Sequence, residues 1–347
     1  MPASFHRTLI LAIPVIIAAW TVGAAPVPRA GRVETLESIA ALPPHITGTF
    51  REPAGFARTR AGDYLVFDRG AHSVHRVSRD MSAVTELVKI GHEPGRVIQP
   101  AAFSAAPDGS FVVADTPTGR QRIQVFTADG QRLNGFLLPG RAPAFLSIAG
   151  TRLRGIGSLH YTGNSILLNQ PETGSLIVEY SLDGRVLRTV GTTRATGFEA
   201  DSEVHLALNA GLPLAHPRGG YYFVFHAGEP RFRRYTSDGA LQYERVVQGP
   251  ELDQLLAARP TRWPVRRDPG ETPLVLPAIR TAAVDDTDHL WVSLVPPFTY
   301  VYDRDGEKAR TVQFRAAGVI APAALSFARE RLLVAPGLYV FDPRNAP

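Results

Sequence analysis

The side chains best suited to chemistry are imidazoles and short oxygen donors, and they fall at recurring places. His72 and His226 each follow a short apolar run, 64–68 and 221–225, at the same kind of loop, and His160 precedes another run at 166–169. Three neutral imidazoles brought together from separate segments would make a zinc site whose fourth position stays open to water. The other histidines beyond the first two dozen residues are His45, His75, His92, His205, His216 and His289, and no pair shows a tight ligand spacing such as His-x-x-x-His on a helix. The second set is oxygen-based. Asp68, Asp115 and Asn169 end matching runs, and a ring of such donors suits calcium. Later copies place Phe225, Leu294 and Ala335 at roughly corresponding positions, which leaves that ring half apolar. The competing reading of every one of these residues is structural. Carboxylates and amides at strand ends commonly tie loops, and Asp115 with Arg122 reads first as a loop tie. There is no nucleophile elbow, phosphate-cradling glycine loop or dinucleotide fingerprint, so the sequence assigns no catalytic residue.

The elements that must position these residues are clearest between 100 and 139. There, apolar runs at 101–105, 111–114, 123–127 and 133–138 are separated by Asp108-Gly109, a polar loop at 116–120, and Asp129-Gly130. Strand, Asp-Gly turn, strand, loop, strand, Asp-Gly turn, strand is an antiparallel four-stranded meander. Such a sheet cannot bury both faces alone, so neighbours must stack on each side. Looser copies start at 64, 166, 221 and 290, three of them with Asp183-Gly184, Asp238-Gly239 or Asp305-Gly306 at the matching turn, and a three-strand copy spans 324–342. Five complete units, a partial one and a spare strand at 46–50 predict a closed ring, an all-β six-bladed β-propeller whose last blade is completed by that N-terminal strand. Segment 249–277 is helical at 251–258 and then proline-rich, an insertion on one rim.

The start of the chain predicts export. His6 and Arg7 precede an apolar run at 9–20, and Val22 and Ala24 supply small residues for cleavage after Ala24. The run is shorter than a membrane span needs and holds Pro14, so no stable span is expected once the signal is removed. Segment 25–44 reads as a linker or strap, and 45–347 as the propeller. With no cysteine there is neither a disulfide nor thiolate chemistry, which fits a bacterial periplasmic or extracellular protein. Net charge is only +5, carried almost wholly by arginine, Lys89 and Lys308 being the only lysines. The nearest arrangements to a basic patch with aromatics are Arg231, Arg233 and Arg234 around Phe232, and Arg259, Arg262, Arg266 and Arg267 around Trp263. Export argues against a nucleic-acid partner for either.

The stretch 90–139 resembles an NHL repeat. It has a glycine-rich approach from Gly91 to Gly95, Pro100 before the first strand, a second strand in DGSFVVAD from Asp108 to Asp115, and a third in RIQVFTADG from Arg122 to Gly130. The match is close over this copy and loose over the others. The resemblance implies six-bladed propellers, among them lyases, lactonase-like hydrolases and pure binding modules. Peptide-amidating lyases of this shape bind zinc through histidines near the channel, which would fall here on His72, His160 and His226. A lactonase-like calcium site would use Asp68, Asp115 and Asn169. The reading adopted from the sequence is an exported binding or scaffold module for a protein or small-molecule ligand. A metal-dependent lyase or hydrolase, with zinc or calcium at the channel mouth, is the alternative. A binding rim would draw on the loop at 191–202, the insertion, and Tyr161, Tyr221, Tyr222 and Trp263.

Overall fold

Residues 32–139, 146–148, 151–153, 158–258 and 275–344 are described by a computed structural model. The signal-like segment, the cleavage position, the first part of the strap, and 259–274 with Trp263 and its arginines lie outside the described residues.

Four meanders form four separate four-stranded sheets. Sheet I holds Pro53–Arg58, Tyr64–Asp68, Ser73–Val77 and Val84–Val88. Sheet II holds Ala102–Ala105, Phe111–Asp115, Arg122–Phe126 and Arg132–Leu137. Leu159–Tyr161, Ile166–Gln170, Ser175–Tyr180 and Val186–Thr192 make sheet III, and Gly211–Ala215, Tyr221–Phe225, Arg231–Tyr235 and Leu241–Val246 make sheet IV. The second strand of each is buried on both faces, which is why it reads as an unbroken apolar run instead of alternating. At the Asp-Gly turns the glycines take φ between +79° and +92°, the left-handed backbone such a turn requires.

The remaining strands differ from expectation. Where two separate blades were expected, a single nine-stranded sheet V is found. Its first four strands are Ile279–Val284, Leu290–Leu294, Thr299–Tyr302 and Lys308–Arg315, and its last three in space are Tyr339–Phe341, Arg331–Ala335 and Ala324–Ala328. Val33–Ala41 joins the two sets. Its first half runs parallel to Lys308–Arg315, and from Ser38 it turns antiparallel to Tyr339–Phe341. The closing N-terminal strand therefore lies within the stretch read as a strap. At 46–50 there is no strand: Pro44 opens the one-turn helix Pro44–Thr47, a position where proline's missing N–H costs nothing.

The first strands of the meanders touch in a cycle. Pro53–Arg58 contacts Ala102–Ala105, which contacts Leu159–Tyr161, and the series continues through Gly211–Ala215, Ile279–Val284 and Ala324–Ala328 back to Pro53–Arg58. Apolar clusters fill the seams in the same order, including one between the 324–341 strands and sheet I built on Ile46, Phe50, Phe56, Leu333 and Leu338. The first strands thus line the axis of a ring.

Candidate functional site

The expected calcium set is spent on backbone. Asp68, fully buried, accepts from the amides of Arg51 at 2.7 Å, Glu52 at 2.9 Å and Ala71 at 3.1 Å, pinning the entry to the first strand of sheet I. Asp115 accepts from the Ile98 amide at 3.0 Å and from Arg122 Nη2 at 2.6 Å, while Arg122 also donates to the carbonyls of His92 and Arg96. This is the loop tie the sequence implied. Asn169 accepts from the Gly211 amide at 3.0 Å and donates to the Leu176 carbonyl at 2.8 Å. By register, Asn169 is one residue out of step. Ile166 occupies the place of Tyr64 and Phe111, so Gln170 is the equivalent of Asp68 and Asp115. Gln170 Oε1 accepts from the Tyr180 hydroxyl.

The histidines keep more of their chemistry free. His72 sits at φ 56° in the loop after Asp68, and its Nδ1 is buried with no hydrogen-bond partner. Burial and the nearby Arg51 hold its pKa below the ordinary value, with Asp68 opposing. His160 lies on the first strand of sheet III. Its neighbours Leu159 and Tyr161 enter the core toward sheet II, so alternation turns His160 to the opposite side. It is half-buried, its imidazole makes no hydrogen bond among the described residues, and burial pushes its pKa down to about 4.

His226 is the most informative of the three. Ile279 and Leu294 face each other across a pair whose hydrogen bond is made by their neighbours, Val295 donating to the Ala278 carbonyl at 2.8 Å. Ile279's own N–H and C=O therefore point to the free inner edge of the strand. Both meet His226. The Ile279 amide donates to the His226 carbonyl, and the Ile279 carbonyl lies 3.0 Å from His226 Nδ1. A carbonyl can only accept, so Nδ1 carries the proton and Nε2 is left with a bare lone pair. That atom is buried, has no partner, and belongs to a residue 1% exposed. Burial pushes the imidazole's pKa down to about 4, so it is neutral at physiological pH.

Arg280, the next residue along, was not singled out from sequence. It stands at a β-bulge, a device that re-aims a side chain, and its Nε and Nη2 both hold the Val295 carbonyl. No carboxylate lies within ion-pair distance of it among the described residues, and burial lowers its pKa. The first strand at 279–284 carries little alternation, so nothing in the sequence marked it as an inner strand.

Among the described residues no three His, Cys, Asp or Glu side chains come together as a metal-binding group. Of the expected rim aromatics, Tyr161, Tyr221 and Tyr222 are all core residues. Tyr221 and Tyr222 point to opposite faces by alternation. Both are buried because each face of sheet IV is packed, Tyr221 toward sheet III and Tyr222 toward sheet V. Arg231 and Arg233 pair with Glu244, and Arg234 is buried, so these arginines do not present a free basic patch.

No family model matches the chain, and no curated protein matches it in sequence. Among solved structures it resembles a streptogramin B lyase, with TM-score 0.51 and 14% identity over 82% of this chain and 76% of that one. The fold is a β-propeller. A virginiamycin B lyase from Staphylococcus aureus aligns with TM-score 0.49 and 12% identity over 84% of this chain and 93% of that one. A protein of unknown function from Bacteroides caccae aligns with TM-score 0.45 and 14% identity over 75% and 81%. At these identities the likeness concerns architecture alone, and the NHL resemblance rests on the residues of 90–139.

Proposed function

We propose that the chain is an exported, NHL-type, six-bladed propeller that acts as a binding module, with its ligand at the mouth of the ring. The cycle of first strands and the seams between them support the six-blade count, with Val33–Ala41 fusing the last two blades into sheet V. The observation that carries the site is His226 Nε2, a buried acceptor with no donor, which a ligand would reach by displacing the side chains that cover it. Leaving such a group unpaired costs about 1–3 kcal/mol, which a ligand hydroxyl or amide N–H would recover. His160 and Arg280, on the first strands of the flanking blades, add a second unpaired imidazole and a guanidinium with unused donors. The ligand is a small polar molecule, and the mature protein works in the periplasm or outside the cell.

A thermal-shift screen of small polar metabolites on the mature protein tests this. Hits at the mouth disappear in a His160→Ala/His226→Asn double variant that remains folded. Hits that survive in that variant contradict the assignment.

A metal-dependent lyase or hydrolase is the second reading, favoured by one observation. His160 and His226 are neutral at physiological pH, the form in which imidazole ligates a metal or takes a proton. With His72 they would have to be drawn together to make a zinc set, since the three do not meet among the described residues. For calcium the oxygens of Asp68, Asp115 and Asn169 would first have to leave their backbone partners. Near-stoichiometric metal in the purified protein, removable by chelator, would favour this reading over the first.

A further inference from the structure

A cleft of about 710 Å³ opens between the helix Pro250–Ala257 and the loop after Leu290–Leu294. Pro250, Leu255, Val295, Pro296 and Phe298 give it apolar walls, with Glu251 and Gln254 as its polar lining. Its size falls in the range of small-molecule sites. None of His160, His226 and Arg280 lines it, although Arg280 holds the carbonyl of Val295 in its wall.

The Glu251 carboxylate decides what fits. Oε2 accepts from the hydroxyl of the fully buried Tyr300 at 2.5 Å, which holds the side chain in place. Oε1 has no hydrogen bond, and no cation lies within ion-pair distance of Glu251 among the described residues. Of the nearby cations among the described residues, Lys308 is engaged over the Tyr300 ring with Nζ 4.2 Å from the centroid, and Arg280 holds the Val295 carbonyl through Nε and Nη2. The N-terminus of an eight-residue helix contributes roughly half a positive charge, which the carboxylates of Glu251 and Asp253 outweigh. An anchored carboxylate among apolar walls, with an aromatic ring beside it, is the complement of a cation carrying an apolar body.

We propose that this cleft binds small apolar ammonium compounds, the ammonium on Glu251 and the hydrocarbon against Phe298, Leu255 and the prolines. The probes are 3-phenylpropylammonium, 3-phenylpropan-1-ol and 3-phenylpropanoate, which share one body and differ in charge, titrated calorimetrically into the full mature chain. The ammonium is expected to bind at least about tenfold more tightly than the alcohol, and the carboxylate more weakly than either. Glu251→Gln keeps an acceptor for Tyr300 and brings ammonium and alcohol within about twofold, whereas His226→Asn leaves the preference intact. Should Glu251→Gln not fold, raising salt on the unmodified protein serves instead, and the ammonium preference shrinks. The proposal is overturned if the alcohol or carboxylate binds as well as the ammonium, if no probe binds at millimolar concentration, or if the preference survives both Glu251→Gln and high salt. Loss of the mouth ligand in the histidine variants with the ammonium preference retained separates the two sites.

Discussion

Lowering the pH should weaken this protein through His226, by an amount the structure sets. In the unfolded chain the imidazole titrates near its ordinary value of 6.5, and in the fold near 4. A folded pKa below the unfolded one means stability that is fully present above about pH 6.5 and lost as pH falls toward about 4. At about pH 5 the unfolded imidazole is almost wholly protonated and the folded one still neutral, a difference of about 1.5 pH units or about 2 kcal/mol. His160 acts in the same direction, as do His72, His75 and His216, whose pKa values burial also lowers. The assay is urea unfolding at about pH 7.5 and about pH 5, for the wild type and for His226→Asn. The variant keeps an amide donor for the Ile279 carbonyl and removes the titration, and every other group cancels in the comparison. Wild type should lose about 2 kcal/mol more than the variant over this interval. Equal losses would refute the burial of a neutral His226.

Other perturbations probe the frame around the mouth. Leu36→Ala empties a fully buried position on the strand that fuses the last blades, and should cost about 2–5 kcal/mol by chemical denaturation. Gly55→Ala sets a methyl 2.7 Å from the Phe103 ring, where the first strands of sheets I and II meet, and should cost about 1–3 kcal/mol in the same assay. Arg122→Met strands Asp115 as an unpaired buried charge and should cost about 3–5 kcal/mol, where a loss under 1 kcal/mol would contradict the loop tie.

The second to fourth strands of the meanders were legible because they obey simple rules. A buried central strand such as 111–115 is continuously apolar, and Asp-Gly marks the hairpins by a backbone demand only glycine meets cheaply. Most of the first strands were hidden for the opposite reason. Pro53–Arg58, Gly211–Ala215 and Ile279–Val284 include proline, glycine or arginine and line an axis that is neither core nor solvent, so no period of two appears. The helix Ser202–Leu208 starts where the loop read at 191–202 ends and was not read from the sequence, although Asp201 caps it through the Val204 amide and Val204, Ala207 and Leu208 form its buried stripe. The site was half legible. His160 and His226 were named from sequence, but Arg280 could not be, because a bulge is set by pairing that only the fold supplies. Asn169 was misaligned by one residue because Ile166–Gln170 ends one place beyond the asparagine.

The central claim is that ligand binds where His226 Nε2 lacks a donor. The most direct measurement is a two-bond proton–nitrogen correlation spectrum of the histidine rings, recorded with and without the strongest hit from the screen. The account predicts a protonated Nδ1 and bare Nε2 for His226 in the free protein, and a shift of the Nε2 resonance on binding while His216, on a different loop, stays fixed. A hit that binds at full occupancy and leaves the His226 and His160 resonances unmoved would contradict it.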